Sequence, residues 1–324
     1  MPDCTVVVIT YNDAERLPRA VRSVLRQSLR DLEVIISDDA STDGTPEVAR
    51  RLAEADPRVR YLRRPHNSGG CGAPRNDGID AAAAPYVMFL DSDDELPRHA
   101  CKSLLTEIER TGADFVSGQI SRLFEPSGRL RPYYPSLFAR RRVVEGIRQE
   151  PELFLDSFST NKLYDVEFLR EHVLRFPEDI HYEDHVFAAE LYALARRFAV
   201  VPWTVYHWHR APTNDSISLS IDDLANVRQR VIAARLSDDL LREHGPRTWC
   251  RTGSTGSCAR TCGSTSTRCR CGTRCGSRSS PRSSGRTWRS CPPRSSSGSA
   301  RWTGSAAGSS WTTASRTCAS RRAR

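Results

Sequence analysis

Much of what identifies a protein class is missing from this 324-residue chain. No apolar run is long enough to cross a bilayer, and the N-terminus opens on a strand pattern instead of a charged-then-apolar leader, so the expected location is the cytoplasm. There is no GxxxxGK followed by Ser or Thr, which excludes a P-loop and with it a Walker-B role for Asp91. Gly70-Cys71-Gly72-Ala73-Pro74-Arg75 begins like GxGxxG but puts Arg where the third glycine belongs, and it does not follow the first strand. That argues against a hydride-transfer dinucleotide site. No CxxC pair occurs, and seven of the 11 cysteines lie beyond residue 250, where no histidine accompanies them. A zinc site is therefore not indicated, and the scattered Cys4, Cys71 and Cys101 suit reduced thiols.

The most severe depletion is at the C-terminal end. Residues 251–324 use only Arg, Ser, Thr, Gly, Cys, Ala, Trp and Pro, without one acidic side chain or one Ile, Leu, Val or Phe. Such a segment has almost nothing with which to offset ordering entropy, so it is expected to be disordered. All of these residue types have G/C-rich codons and the change is abrupt near Arg247-Thr248-Trp249-Cys250, which points to a shifted reading frame. The tail also holds 15 of the 48 Lys and Arg, so the overall charge of +9 becomes −6 for residues 1–250, with 33 basic against 39 acidic residues. A mildly acidic body argues against nucleic-acid binding.

What is present is a βα alternation. Thr5–Thr10, Leu32–Ser37, Val59–Arg63 and Tyr86–Leu90 read as strands, with helices after Leu17, from Thr45-Pro46, and over 73–84. This implies a mostly parallel sheet with helices on both faces and ligands at the C-terminal strand ends. Thr10-Tyr11-Asn12, Asp38-Asp39 and Asp91-Ser92-Asp93-Asp94-Glu95 all fall there. Carboxylates crowded at the last of these ends would raise one another's pKa unless a hard cation such as Mg2+ or Mn2+ sits among them. The same run also fits an acidic helix start ahead of Pro97. Further on, 98–110 reads as a helix closed by Gly112, 122–142 gives no clear pattern, and short helices are expected over 151–158 and 167–172. A longer helix is expected over 184–196, strands over 198–201 and 205–209 broken at Pro202, and an amphipathic helix over 221–244 with Leu224, Val227, Val231 and Leu236 on its apolar side.

Four stretches in order, Val8-Ile9-Thr10-Tyr11-Asn12, Ile35–Asp43, His66-Asn67-Ser68-Gly69 with Arg75-Asn76-Asp77-Gly78, and Leu90-Asp91-Ser92-Asp93-Asp94, resemble the signatures of family 2 inverting glycosyltransferases of GT-A fold. Tyr182-Glu183-Asp184 is similar to the family's Glu-Asp motif, and Tyr206–Ser218 to its later Tyr-containing loop. The resemblance implies a catalytic domain over 1–220, with a nucleotide-sugar half at 1–112 and an acceptor half at 113–220, then the helix at 221–246 and the basic tail at 247–324. It further implies Mn2+ or Mg2+ held by Asp93, Asp91 and Asp94. His207 and His209 could complete the shell or be ordinary packing partners of the nearby aromatics, and Asp94 could equally be a helix-start charge. Asp184 would be the base, with Glu183 beside it orienting the acceptor; both also suit a helix start. Thr10, Tyr11, Asn12 and Asp39 would line the nucleobase pocket, Asp91 and Ser92 would face the nucleotide, and Asn67 and Arg75 would lie near the diphosphate or sugar.

The donor implied is a UDP-sugar. Asn161-Lys162-Leu163-Tyr164 and Phe176-Pro177-Glu178 resemble enzymes that build or decorate bacterial surface polymers, including wall teichoic acid glycosyltransferases. The acceptor would then be a saccharide, a polyol phosphate or a lipid-linked chain, and a lipid-linked acceptor would bring the protein to the inner face of the membrane. The alternative is a catalytically silent nucleotide-sugar-binding module.

Overall fold

The β-branched run at the N-terminus forms β1 (Cys4–Thr10), buried along its whole length as expected of a strand covered on both faces. The computed structural model describes residues 1–210 and 224–244. Around β1 lie β2 (Leu32–Asp38), β3 (Val59–Arg63) and β4 (Tyr86–Asp91), all parallel, in the order β3-β2-β1-β4. Register brings Thr10 opposite Asp38 and Ile9 opposite Asp91, so three polar strand ends arrive at one edge. The chain runs outward from β1 to β2 on one side and returns to β4 on the other. This reversal is where open α/β sheets form their ligand crevice.

Alternate side chains feed two cores. Val6, Val8, Met88 and Leu90 pack with Leu17, Val21 and Val24 of α1 (Leu17–Leu25), whereas Val7, Ile9 and Phe89 pack on the opposite face with Ile79. Helix α2 is Thr45–Ala55 and α3 is Gly72–Ala81. Gly78 lets α3 lie against β1, since a Cβ there would stand 2.4 Å from Val7 Cγ1. As the sequence implies, Pro18 occupies the first turn of α1 and Thr45-Pro46 opens α2. Neither Asn12 nor Asp13 caps α1 through its side chain: Asp13 is drawn instead to Arg16 and to the Ser92 hydroxyl.

After α4 (Ala100–Thr111), closed by the left-handed Gly112, the sheet continues with β5 (Phe115–Phe124), β6 (Arg129–Tyr133), β7 (Arg142–Val144), β8 (Lys162–Asp165) and β9 (Phe198–Arg210). The full order is β3-β2-β1-β4-β8-β5-β9-β7, with β6 hairpinned onto β5. The unpatterned basic stretch is thus this hairpin and β7. The expected break at Pro202 is a register shift within one long strand, where β5 and β9 pass Gly118/Gln119 out of step. The turn at Pro151–Leu155 is a 3-10 helix, and α5 (Val166–Glu171), α6 (Glu183–Leu194) and α7 (Leu224–Glu243) complete the described chain.

Helix α7 corrects an expectation. It buries Asn226, Ala233 and Ser237, whereas Leu224, Val227 and Leu236 are exposed. Small side chains allow closer helix contact than an apolar ridge would, and the Ser237 hydroxyl reaches the main-chain oxygen of His185 on α6. The expected helix residues 221–223 and the tail at 247–324 lie outside the described residues, as does most of the Tyr206–Ser218 motif.

Candidate active site

The polar edge of the sheet is organised by one guanidinium. Arg75, on the first turns of α3, is buried, with its side chain 3% exposed. Its Nη1 donates to Glu183 Oε1 at 2.7 Å and to Asp184 Oδ1 at 3.0 Å, and its Nη2 donates to Asp91 Oδ1 at 3.0 Å. Three motifs far apart in sequence therefore meet on one side chain, whereas the resemblance implied only that Arg75 lies near the diphosphate or sugar. The guanidinium of Arg75 lies over the Phe176 ring, its carbon 5.4 Å from the centroid.

Three carboxylates around one cation leave the pocket electronegative. Burial pushes the Asp91 carboxyl up to about 6 in spite of Arg75. Burial and then the charge of Asp184 push Glu183 up to about 7. Both shifts come first from burial, with the neighbouring carboxylates adding to it and Arg75 opposing it.

Glu183 and Asp184 occupy the first turn of α6, whose entry residue Tyr182 is left-handed at φ 67° and makes no side-chain cap. The two carboxylates turn to Arg75 instead of capping the helix. Asp184 is held through one oxygen only: Oδ1 accepts from Arg75 and, at 2.9 Å, from the Ser159 hydroxyl. Its Oδ2 accepts no hydrogen bond among the described residues, and the side chain is 25% exposed. A carboxylate clamped at one oxygen and open at the other is oriented to take a proton.

The nucleotide side is built from loops. Asn12 is left-handed at φ 48°, receives the Thr42 amide on its Oδ1 at 2.7 Å, and offers its own amide to Ser41 Oγ. Tyr11 stands half exposed beside it, and the Thr10 hydroxyl is buried without a partner, an orphan a ligand would satisfy. Asp39 has a structural duty that the sequence did not reveal. Its Oδ2 accepts from Asn67 Nδ2 and the Ser68 hydroxyl, and so anchors the 66–70 loop, while Oδ1 has only the shared Ser68 amide and Arg64 Nε at 3.3 Å. Asn67 is thus placed against Asp39, and accepting capacity for a base N–H remains on Oδ1. Ser92 is turned inward, its hydroxyl donating to Asp13 at 2.6 Å.

This geometry can be set beside known proteins. The sequence profile of glycosyl transferase family 2 matches residues 5–173. The chain belongs to that family. Among its relatives, the succinoglycan biosynthesis protein ExoO of Rhizobium meliloti is 30% identical over 230 residues, covering 69% of this chain and 65% of that protein. The poly(ribitol-phosphate) beta-glucosyltransferase of Bacillus spizizenii is 28% identical over 242 residues, 73% of this chain and 37% of that protein. The chain thus spans less than two thirds of either relative. The crystal structure of Staphylococcus aureus TarS 1-349 in complex with UDP-GlcNAc superposes with a TM-score of 0.62 at 22% identity, covering 79% of this chain and 75% of that one, and confirms the GT-A-like fold.

Within this family fold the acidic stretch divides by hydrogen bonding. The Asp93 side chain is 34% exposed, with Arg16 Nη1 3.7 Å from its Oδ2, and Arg19 donates to its main-chain oxygen at 2.7 Å. Asp94, by contrast, is buried, with Oδ2 taking the Tyr206 hydroxyl at 2.6 Å and Oδ1 taking the His209 amide at 2.7 Å. Burial pushes its carboxyl well up from the ordinary range. Asp94 therefore ties β9 to the acidic loop, which corrects its assignment as a ligand.

His209 is corrected as well. Its ring nitrogens meet Glu125 Oε1 at 2.6 Å and Glu95 Oε2 at 2.9 Å, so neither faces a metal. His207 pairs through its main chain with Glu95, and burial lowers its pKa toward the neutral form. No group of three His, Cys, Asp or Glu side chains converges as a ready metal cage among the described residues. Two hard carboxylates, Asp91 and Asp93, still fit a cation that takes its other ligands from diphosphate and water. Tyr206 opens a motif read from the sequence, but its bond to Asp94 was not foreseen, and Ser159 was not singled out at all. Ser159 carries no motif, and its signal is only spatial.

Proposed function

We propose that this protein transfers a sugar, with inversion, from a UDP-sugar to a hydroxyl of a surface-polymer or lipid-linked acceptor in a metal-dependent reaction. The observation that carries the reading is the Asp184 carboxylate, clamped at Oδ1 and open at Oδ2 in the pocket that also holds Asp91. An inverting transfer is a single displacement, in which the acceptor oxygen attacks the anomeric carbon while the nucleoside diphosphate leaves from the opposite face. In such a step Asp184 Oδ2 accepts the acceptor's proton as that oxygen becomes positive. Arg75 holds Asp184 in place through Oδ1, and Glu183 beside it orients the acceptor. A divalent ion held by Asp91 and Asp93 would supply Lewis-acid stabilisation of the departing diphosphate. Thr10, Tyr11, Asn12 and Asp39 would hold the nucleobase, with Tyr11 stacking on it.

The donor reading is supported by the fold shared with a TarS structure that contains UDP-GlcNAc, and the acceptor reading by the relative named for poly(ribitol phosphate). Membrane recruitment would come through the acceptor, since no helix among the described residues is long and apolar enough to cross a membrane. The test is UDP release from UDP-glucose and UDP-GlcNAc, with poly(ribitol phosphate) or a polyprenyl-diphosphate saccharide as acceptor. Release that needs Mn2+ or Mg2+, stops with EDTA and gives product of inverted anomeric configuration is expected. Tight UDP binding with no turnover on any nucleotide sugar would overturn the reading in favour of a silent binding module.

A further inference from the structure

Beneath the open carboxylate lies a buried ionic knot that the proposed chemistry does not touch. Lys162, at the start of β8, is 0% exposed, and its ammonium donates to Asp156 Oδ2 at 2.7 Å, to the Phe158 main-chain oxygen at 2.6 Å, and to Asn161 Oδ1 at 3.0 Å. Asp156 in turn accepts from the Ser117 hydroxyl and from Asn161 Nδ2, which also reaches the Gly118 main-chain oxygen. All three ammonium protons are satisfied, and the acceptors all belong to the short segment 156–161. Buried ion pairs are poor sources of stability, since apolar replacements of similar volume are often as stable or more so. What this one does is geometric: it closes residues 156–162 into a fixed turn.

The turn presents one residue to the site. The main-chain oxygen of Ser159 accepts from the Tyr164 hydroxyl at 2.8 Å, and its own hydroxyl donates to Asp184 Oδ1. Ser159 is thus held on both sides while itself buried. The charged and titratable groups around Asp184 are Arg75 and Glu183 in contact with it, Asp91 across Arg75, and Lys162 and Tyr164 beneath, whose titrations both feel its charge.

Resting on the transferase reading, we propose that Ser159 is a positioning residue for the base: locked by the Asp156–Lys162 knot, its hydroxyl fixes the rotation of the Asp184 carboxylate so that Oδ2 faces the acceptor. Arg75 alone cannot do this. It is shared with Glu183 and Asp91, and one contact leaves a carboxylate free to pivot about it.

The experiment compares Ser159→Ala and Ser159→Thr in the full chain, with UDP-glucose or UDP-GlcNAc and poly(ribitol phosphate). Misplacement of a catalytic group by an ångström is worth roughly 100-fold, so kcat of Ser159→Ala should fall by about 10- to 100-fold. The KM for the nucleotide sugar should stay within about twofold, and Ser159→Thr, which keeps the hydroxyl, should restore most of the rate. Lys162→Met strips Asp156 of its buried partner and endangers folding, so the serine variants carry the test. Unchanged kcat in Ser159→Ala, or equal loss in both variants, would overturn the positioning role. Crystals of both variants read the Asp184 carboxylate directly. An inactive wild type would count against the transferase, while a carboxylate displaced in Ser159→Ala but not in Ser159→Thr would still support the positioning role, and an unmoved one would refute it.

Discussion

Replacing Arg75 by Met tests whether the site is held together by one shared cation. The guanidinium meets its three carboxylates at 2.7 to 3.0 Å. At an effective dielectric of about 20, each such contact is worth roughly 5 kcal/mol gross, most of it offset by desolvation. Removing one partner of a buried pair costs about 3–5 kcal/mol, which for a domain of this size is a fall in Tm of about 6–20 °C. The loss should also depend on pH. In the wild type, Asp91 and Glu183 already stand at about 6 and about 7, above ordinary values of about 3.9 and 4.3. A carboxyl raised in the folded state binds protons more tightly there than in the unfolded chain. Its contribution is therefore full below about pH 4 and lost as pH rises through 6 to 7. Without Arg75 the carboxyls rise further. Arg75→Met should thus be nearer to wild type at pH 5, where protons replace the guanidinium, than at pH 8, where they cannot. Urea unfolding or calorimetry at the two pH values measures this. An equal loss at both, or one under about 1 kcal/mol at pH 8, would refute the shared-cation account.

Three other outcomes are expected. Asp184→Asn keeps the shape but removes the proton acceptor, so transfer should vanish while UDP binding by calorimetry stays within about threefold; retained transfer removes Asp184 as base. Gly78→Ala drives a methyl to 2.4 Å from Val7 Cγ1 and should cost about 1–3 kcal/mol of stability in denaturant titration, and a neutral result would mean that α3 can retreat from β1. A shifted frame also makes a definite demand on the DNA beyond residue 247. Read one base earlier, with G or C in third positions, TCN serine and TGC cysteine codons become Leu or Val, and threonine codons become Asp or His. Resequencing that confirms the present frame and finds no apolar periodicity in the neighbouring one would refute the shift.

The parallel half was legible because each of its strands is a short, self-contained apolar run followed by a polar end, as in Val6–Thr10 and Met88–Asp91. The mixed second half was legible only in part, β9 and α6 being expected and β6 and β8 not. β8 is four residues long, and β6 is the exposed arm of a hairpin whose Arg129, Arg131 and Pro132 carry no strand signal. The site divided in the same way. Asp91, Glu183, Asp184 and Arg75 belong to motifs, and they do converge. Asp94 and His209 carry the right side chains for a metal but are spent on fastening β9 to the acidic loop, a matter of which oxygen faces which neighbour. Helix α7 misled for a related reason: periodicity shows which residues are apolar, whereas close approach to α6 selected the small ones.

Strand β8 is inserted between β4 and β5 and pairs antiparallel with both. Through it, the half that would receive the nucleotide and the half that would receive the acceptor are stitched into one hydrogen-bonded sheet, with Phe89, Tyr164 and Phe115 in contact across the seam. Such a seam has no hinge. The two halves cannot swing together over a substrate as separate lobes do, so any gating of the pocket falls to segments that lie off the sheet, such as the loop that Asp39 anchors at 66–70. Turnover in this protein would then be paced by a few residues lifting from a carboxylate, with the sheet as a fixed floor.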